Sequence, residues 1–268
     1  MFSLYNYFIS AGQTREEIAQ EQELREMIYT EGFFSTLPEG QAAAGERYRY
    51  TKLPDGKDET ILSDLELPTA PEFLFTETDE NSPVFITRAA VGNDDVIAYM
   101  SIPGTAISYP VAQSSDNEYY LHHDLLRRQS SSGTIFLDYV VSSSFSDRSS
   151  ILYGHNMRNG TKFHNLRYFL ESSFFENNRY INVVSTNSLL QYEIFAAFTT
   201  HISFNYIKVD FPTDVDFMTL VNDIKERSYH ISDIVVRESD RMLILSTCFG
   251  GLGTNYRIVI VGVLINEY

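Results

Sequence analysis

"LILSTCFGGLGTNYRIVIVG", Leu243 to Gly262, holds the only cysteine of the 268-residue chain, Cys248, at the end of one apolar run. An arginine, Arg257, opens the next run nine positions later. Both runs are short, rich in Leu, Ile and Val, and bounded by Gly, Thr and Asn, which predicts strands rather than helix. The joining "FGGLGTN" is short and glycine-rich, so the two strands are antiparallel neighbours. The hairpin then returns Arg257 to the end of the sheet that carries Cys248.

Outward from this hairpin, the chain beyond Pro83 repeats the pattern. Short apolar segments separated by Gly, Pro, Ser or Asn read as strands in "DVIAYMSI", "AISYPVAQ", "SGTIFLDYV", "SSILYGHN", "RYINVVS", "LLQYEIFAAFTTH" and "ISDIVVR", before "RMLILSTC" and "YRIVIVGVLI". Many short strands predict a mainly β fold, a closed or nearly closed barrel that manages its own edges. Two helices interrupt the series. "TKFHNLRYFLESSFF" follows the "GHNMRNG" turn. "PTDVDFMTLVNDIKERSY" has Pro212 at its start, Thr213 or Asp214 as cap, and Phe217, Met218, Val221 and Ile224 on one face.

The first 82 residues read differently. "TREEIAQEQELREMIY" has capping-box spacing at Thr14 and Glu17 and a loose apolar stripe, which predicts a surface helix. From about Ser35 to Pro83 the Pro, Gly, Glu, Asp and Thr content predicts an irregular wrap or linker. The division expected is an appendage over 1–82 and a barrel domain over 83–268. The apolar-aromatic start "MFSLYNYFIS" lacks the basic flank and cleavage site of a signal peptide and reads as the stub of an N-terminal membrane anchor.

Composition narrows the function. A net charge of −16 argues against nucleic acid, whose phosphates require a basic patch. Tyr (18) and Phe (19) supply all the aromatics, and such residues suit half-buried pleated surfaces. One cysteine excludes an intrachain disulfide and a multi-thiolate metal site. The acidic residues scatter without calcium-ligand spacing. His122, His123 and Asp124 lie together but lack further ligands at recognisable spacing, so neither metal nor cofactor is expected.

A lone cysteine is ordinarily a small core hydrophobe. It becomes a nucleophile when a base takes its proton or a neighbour lowers its pKa. Of the six histidines, His155 in "ILYGHNM" stands where an apolar strand meets glycine and a turn, a place that projects into a cleft at a barrel rim. Arg257 in an otherwise apolar strand is either an ordinary rim residue or a fixed cation facing an oxyanion.

"ILYGHNM", then "LSTC", then an arginine strand resembles the sortase family, cysteine transpeptidases of Gram-positive bacteria. "MSIPGTAISYPVAQSSDNEYYLHHDL" and "SGTIFLDY" resemble the segments that open the sortase barrel. The appendage and the long helix before the penultimate strand resemble class B. The resemblance runs from about Pro83 to the C-terminus and implies a sortase-type barrel of about eight strands. It implies that Cys248 is the nucleophile that forms a thioester with a C-terminal sorting signal, His155 the general acid/base, and Arg257 the residue that positions substrate and stabilises the tetrahedral intermediate. Ser246 and Thr247 complete the Ser-Thr-Cys stretch, with the Thr247 backbone as an oxyanion donor. Asn117, Leu121, Tyr206 and Ile207 resemble substrate-groove positions. The implied partners are sorting-signal-bearing surface proteins or pilins, with a peptidoglycan amine or a pilin lysine as acceptor. The implied place is the outer face of a Gram-positive membrane, N-terminally anchored. A hydrolytic cysteine peptidase and a non-catalytic wall-binding barrel are the alternatives from other classes.

Overall fold

A computed structural model describes residues 83–249 and 254–268, together with Ala19 and Glu23. The expected N-terminal helix, the wrap and the centre of the "FGGLGTN" loop lie outside the described residues, apart from those two positions. Glu23 meets Arg128 at 3.0 Å.

Eight strands close into a barrel: β1 (Val96–Ser101), β2 (Ser108–Ala112), β3 (Ile135–Leu137), β4 (Ser149–Tyr153), β5 (Tyr180–Ser185), β6 (Leu189–His201), β7 (Met242–Cys248) and β8 (Tyr256–Glu267). The order around it is β1-β2-β3-β4-β7-β8-β6-β5. Six contacts between strands are antiparallel, but β2–β3 and β4–β7 are parallel and so need long crossovers. The first crossover carries a 3-10 turn at Tyr119–Leu121. The second carries a 3-10 helix, two α-helices, β5 and β6.

Side-chain alternation divides the apolar residues between two compartments. Met100, Val111, Leu137, Leu152, Leu243, Leu245, Ile258 and Ile260 fill the barrel. Ile151, Ile244, Val259 and Val261 point outward and are covered by a second cluster. Its lid is α3 (Asp214–Arg227), following α1 (Pro83–Val91) and α2 (Ser172–Asn177). Thr213 caps α3 in a capping box with Asp216. The buried face is Phe217, Leu220, Val221 and Ile224, with Met218 only partly buried. Strands β7 and β8 are thus buried on both faces through this stretch, which is why they read as continuous apolar runs rather than alternating ones.

Three expectations change. "ISDIVVR", expected as a ninth strand, is irregular, with Ile231 fully exposed and Val235 70% exposed. β7 already has β4 and β8 as partners, so no ladder is open to it. "TKFHNLRYFLESSFF" is a 3-10 helix, Phe163–Leu170, followed by α2 rather than one continuous helix. Helix α1 was unexpected, although Pro83 at its first position and Gly92 beyond its end, at φ 59°, are ordinary start and stop signals. It covers the β1 side, where Val84, Val91, Tyr99, Tyr120, Leu121 and Phe136 cluster.

The covering of the barrel by α3 is testable. Phe217 is fully buried, edge-on to Phe211 at 5.2 Å with the Arg148 guanidinium over its ring at 4.4 Å. Phe217→Ala should cost about 3–5 kcal/mol, while Val215→Ala on the exposed side of the same helix should stay within about 0.5 kcal/mol. Urea unfolding of both variants checks the contrast.

Candidate active site

β4 and β7 run parallel with Tyr153 opposite Ser246, so the residues two positions on, His155 and Cys248, leave the sheet at the same level. Cys248 in turn faces Arg257 across the β7–β8 ladder. Alternation puts Tyr153, Ser246, Cys248 and Arg257 on the outer face, the side covered by Tyr206 and α3, and His155 follows two residues beyond Tyr153, just past the end of β4. Three chemically distinct groups thus stand on three adjacent strand ends, with strands about 4.8 Å apart.

Local features fix each. Gly154 leaves no room for a side chain: a Cβ there would meet Phe163 at 2.9 Å and Ile135 at 3.1 Å. The Thr247 hydroxyl, on the inner side, donates to the Gly154 carbonyl at 2.7 Å and pins the ends of β4 and β7 together. Asn156 donates from Nδ2 to the Cys248 carbonyl at 2.9 Å, so the residue after the histidine holds the residue that bears the thiol. The loop from His155 closes on itself where the Phe163 N–H donates to the His155 carbonyl. Arg257 Nη1 donates to the carbonyls of Thr254 (3.0 Å) and Tyr256 (2.9 Å), which sets the guanidinium plane.

His155 Nε2 lies 2.8 Å from the Leu121 carbonyl oxygen. A carbonyl only accepts, so Nε2 carries the proton and Nδ1 is the basic nitrogen of the neutral ring. Burial lowers the His155 pKa to about 4; the Leu121 bond opposes this, and the charges of His122 and Lys162 add to it. Burial pushes the Cys248 thiol up to about 12, against a smaller pull down from Arg257. The resting pair is therefore thiol and neutral imidazole.

The antiparallel ladder also decides the backbone donors. Phe249 N–H donates to the Tyr256 carbonyl, so Phe249 and Tyr256 form a hydrogen-bonded pair. The pattern alternates, which makes Thr247–Ile258 the next such pair and commits the Thr247 N–H to the sheet. The expected oxyanion role of that N–H has no support in this geometry. Arg257 is the donor that faces outward.

The other expected positions fall in different places. Tyr206 is buried, and its hydroxyl shares a 2.9 Å hydrogen bond with Ser246. Burial raises its pKa; the Ser246 bond and the charge of Arg257 oppose this, and that of Cys248 adds to it. Ile207 beside it is 41% exposed. Asn117 donates to Asp138 Oδ2 at 3.0 Å and accepts from the Tyr139 N–H. Leu121 has its side chain in the α1-side cluster and reaches the site through its carbonyl. His122 and His123 do not assemble with Asp124: His123 stacks on Tyr119 and Asp124 bonds Arg128. Among the described residues no group of three His, Cys, Asp or Glu is placed to hold a metal ion.

Two residues escaped the sequence reading. Tyr153, two before His155 and so on the same face, donates to Asp138 Oδ2 at 2.9 Å, and strand alternation alone would have found it. Asn156 is the other, since adjacency to a histidine in sequence does not by itself set the geometry that brings its amide to the Cys248 carbonyl.

Comparison with known proteins fits this arrangement. The family model for the sortase domain matches residues 100–265. The chain is a member of the sortase family.

Sortases are cysteine transpeptidases of Gram-positive cell surfaces. Sortase B of Listeria monocytogenes is 37% identical over 156 residues, 58% of this chain and 63% of the relative, so this chain spans less than two thirds of that protein. Sortase B of Staphylococcus aureus is 33% identical over 174 residues, 65% of this chain and 71% of the relative. The structure of a Staphylococcus aureus sortase B–substrate complex aligns with a TM-score of 0.63 at 32% identity, covering 67% of this chain and 85% of that one. No helix among the described residues of this sortase is long and apolar enough to cross a membrane.

Because Cys248 is the only thiol, its ionisation is directly readable. The rate of its alkylation by iodoacetamide, in the absence of peptide, should climb about tenfold per pH unit up to about pH 10 without levelling. Levelling near neutral pH would reveal a preformed thiolate and contradict the neutral pair.

Proposed function

We propose that this protein is a class B-like sortase that cleaves a C-terminal sorting signal through a Cys248 thioester and passes the acyl group to an amine. The observation that supports this most directly is the placement of His155, Cys248 and Arg257 on one face of three adjacent strand ends.

In the first step the Cys248 sulfur attacks the scissile carbonyl while its proton passes to His155 Nδ1. The developing oxyanion faces the Arg257 guanidinium, a fixed cation worth more there than in water. Collapse of the tetrahedral intermediate breaks the C–N bond, and the imidazolium gives its proton to the leaving amine. In the second half an incoming amine loses its proton to His155 and attacks the thioester, which releases the thiol. Because the resting pair is neutral, both charges form only as the bond to carbon forms, and turnover is slow.

Asn117, Leu121, Tyr206, Ile207 and Ser246, with Thr247 as the residue that holds the strand ends together, line or support the peptide groove. The acyl donors are surface proteins or pilins that carry a sorting signal, and the acceptor is a peptidoglycan amine or a pilin lysine. The catalytic barrel, residues 83–268, works at the outer face of the cell membrane, tethered by an N-terminal anchor.

The test incubates the protein with a library of fluorogenic sorting-type peptides, with and without an added amine, and reads products by mass spectrometry. An amide-joined product should form with the intact protein and disappear with Cys248→Ala, while His155→Ala and Arg257→Ala should each lower turnover by at least about 100-fold. Cleavage by water alone, indifferent to amine, would make the protein a peptidase. Activity that survives Cys248→Ala would end the thioester mechanism.

A further inference from the structure

The bond from His155 Nε2 to the Leu121 carbonyl is only as directional as the turn that presents that carbonyl. The turn, Tyr119–Leu121, is one 3-10 turn inside a long crossover; its N-cap residue, Glu118, makes no side-chain cap bond, and Asp116 Oδ1 accepts the Glu118 and Tyr119 N–H groups at 2.9 and 2.8 Å on the exposed side. Its fixed point is a side chain. Tyr120 is completely buried, and its hydroxyl is held on two sides: it donates to Asp95 Oδ2 at 2.7 Å and accepts from Asn93 Nδ2 at 2.9 Å. Asn93 Nδ2 also donates to the Leu125 carbonyl on the far side of the turn. Arg127 completes the lattice, reaching Asn93 Oδ1 at 3.1 Å and Asp95 Oδ2 at 3.3 Å.

Two further features belong to the same device. Arg127 has φ 61°, the left-handed region that a side chain other than glycine adopts at a cost, and its bonds to Asn93 and Asp95 hold it there. Gly133, at φ 54°, lies so close beneath the turn that a Cβ would meet the Tyr120 oxygen at 2.5 Å and the Leu121 oxygen at 2.7 Å. The Tyr120 carbonyl takes the Thr134 N–H at 2.8 Å and the Leu121 carbonyl is left to His155. None of Asn93, Asp95, Tyr120 and Arg127 belongs to the catalytic trio, yet all converge on the peptide that holds its base. The start of β1 therefore reaches His155 through one phenol.

We propose that Tyr120, anchored by Asn93, Asp95 and Arg127, is a positioning residue that aims the Leu121 carbonyl and so holds His155 as the Nε2–H tautomer, with Nδ1 as the base. This rests on the reading of His155 as the acid/base.

The experiment compares intact protein, Tyr120→Phe, Asp95→Ala and His155→Ala. Tyr120→Phe keeps the ring and removes only the hydroxyl. Asp95→Ala removes the acceptor from the rim and remains informative if Tyr120→Phe does not fold. Histidine 15N NMR on the free proteins should show the His155 signal, assigned by its loss in His155→Ala, as Nε2–H in intact protein and as a tautomer mixture in both anchor variants. Turnover of the peptide chosen from the library should fall about tenfold in kcat with KM within twofold. Variants that lose melting temperature but keep the His155 15N signature and kcat would make the lattice purely structural and overturn the proposal. Activity retained by His155→Ala would instead overturn the reading of His155 itself.

Discussion

Parallel pairing of β4 with β7 is the constraint on which the site depends. His155 and Cys248 are 93 residues apart, and only the in-register match of Ser149–Tyr153 with Met242–Ser246 brings their strand ends level. Parallel strands cannot be joined by a tight turn, so the chain between them must leave and return, and it uses the excursion to build β5, β6 and α3. Those elements close the barrel and cover the outer face of β7 and β8. The hairpin that supplies Arg257 is local and cheap in chain entropy; the meeting of His155 and Cys248 is neither.

Legibility followed that difference. The β7–β8 hairpin, with Cys248 and Arg257 brought to one end, could be read from two apolar runs and a glycine-rich link. Most strands announced themselves by composition and flanking turns, as did α3 by its cap and apolar face. The β4–β7 pairing left no local mark and is not read from the sequence; His155 and Cys248 were linked only through the resemblance of "ILYGHNM", "LSTC" and the arginine strand to the sortase family. "ISDIVVR" has strand composition, yet exclusion from a filled ladder overrode propensity. Helix α1 was missed because its signals stood at the end of a region read as linker. Asn156 and the Tyr120 lattice were invisible for a deeper reason: their partners are main-chain carbonyls 92 residues away and side chains 25 to 27 residues away, and no sequence pattern marks a carbonyl.

Burial sets the electrostatic character of the site. Desolvation holds the thiol and the imidazole neutral, while Arg257, with Nη1 on two carbonyls, supplies a charge that need not be created during reaction. A neutral thiol and a neutral imidazole beside a fixed guanidinium carry no preformed nucleophilic charge. The same burial explains the density of main-chain hydrogen bonds around it, because polar groups withdrawn from water must find partners in the fold.

The closed barrel carries a consequence for recognition. Sheet proteins that bind extended peptides commonly do so by lending an unpaired edge, so that main-chain hydrogen bonds supply affinity whatever the guest's side chains. Here β1 pairs with β5 and the ring has no edge to lend. A guest chain has to be gripped by the side chains and loops that rise from the outer wall. Grip of that kind is weak for an arbitrary sequence and strong only for a matching one. A wall of that kind does not bind extended backbones indiscriminately.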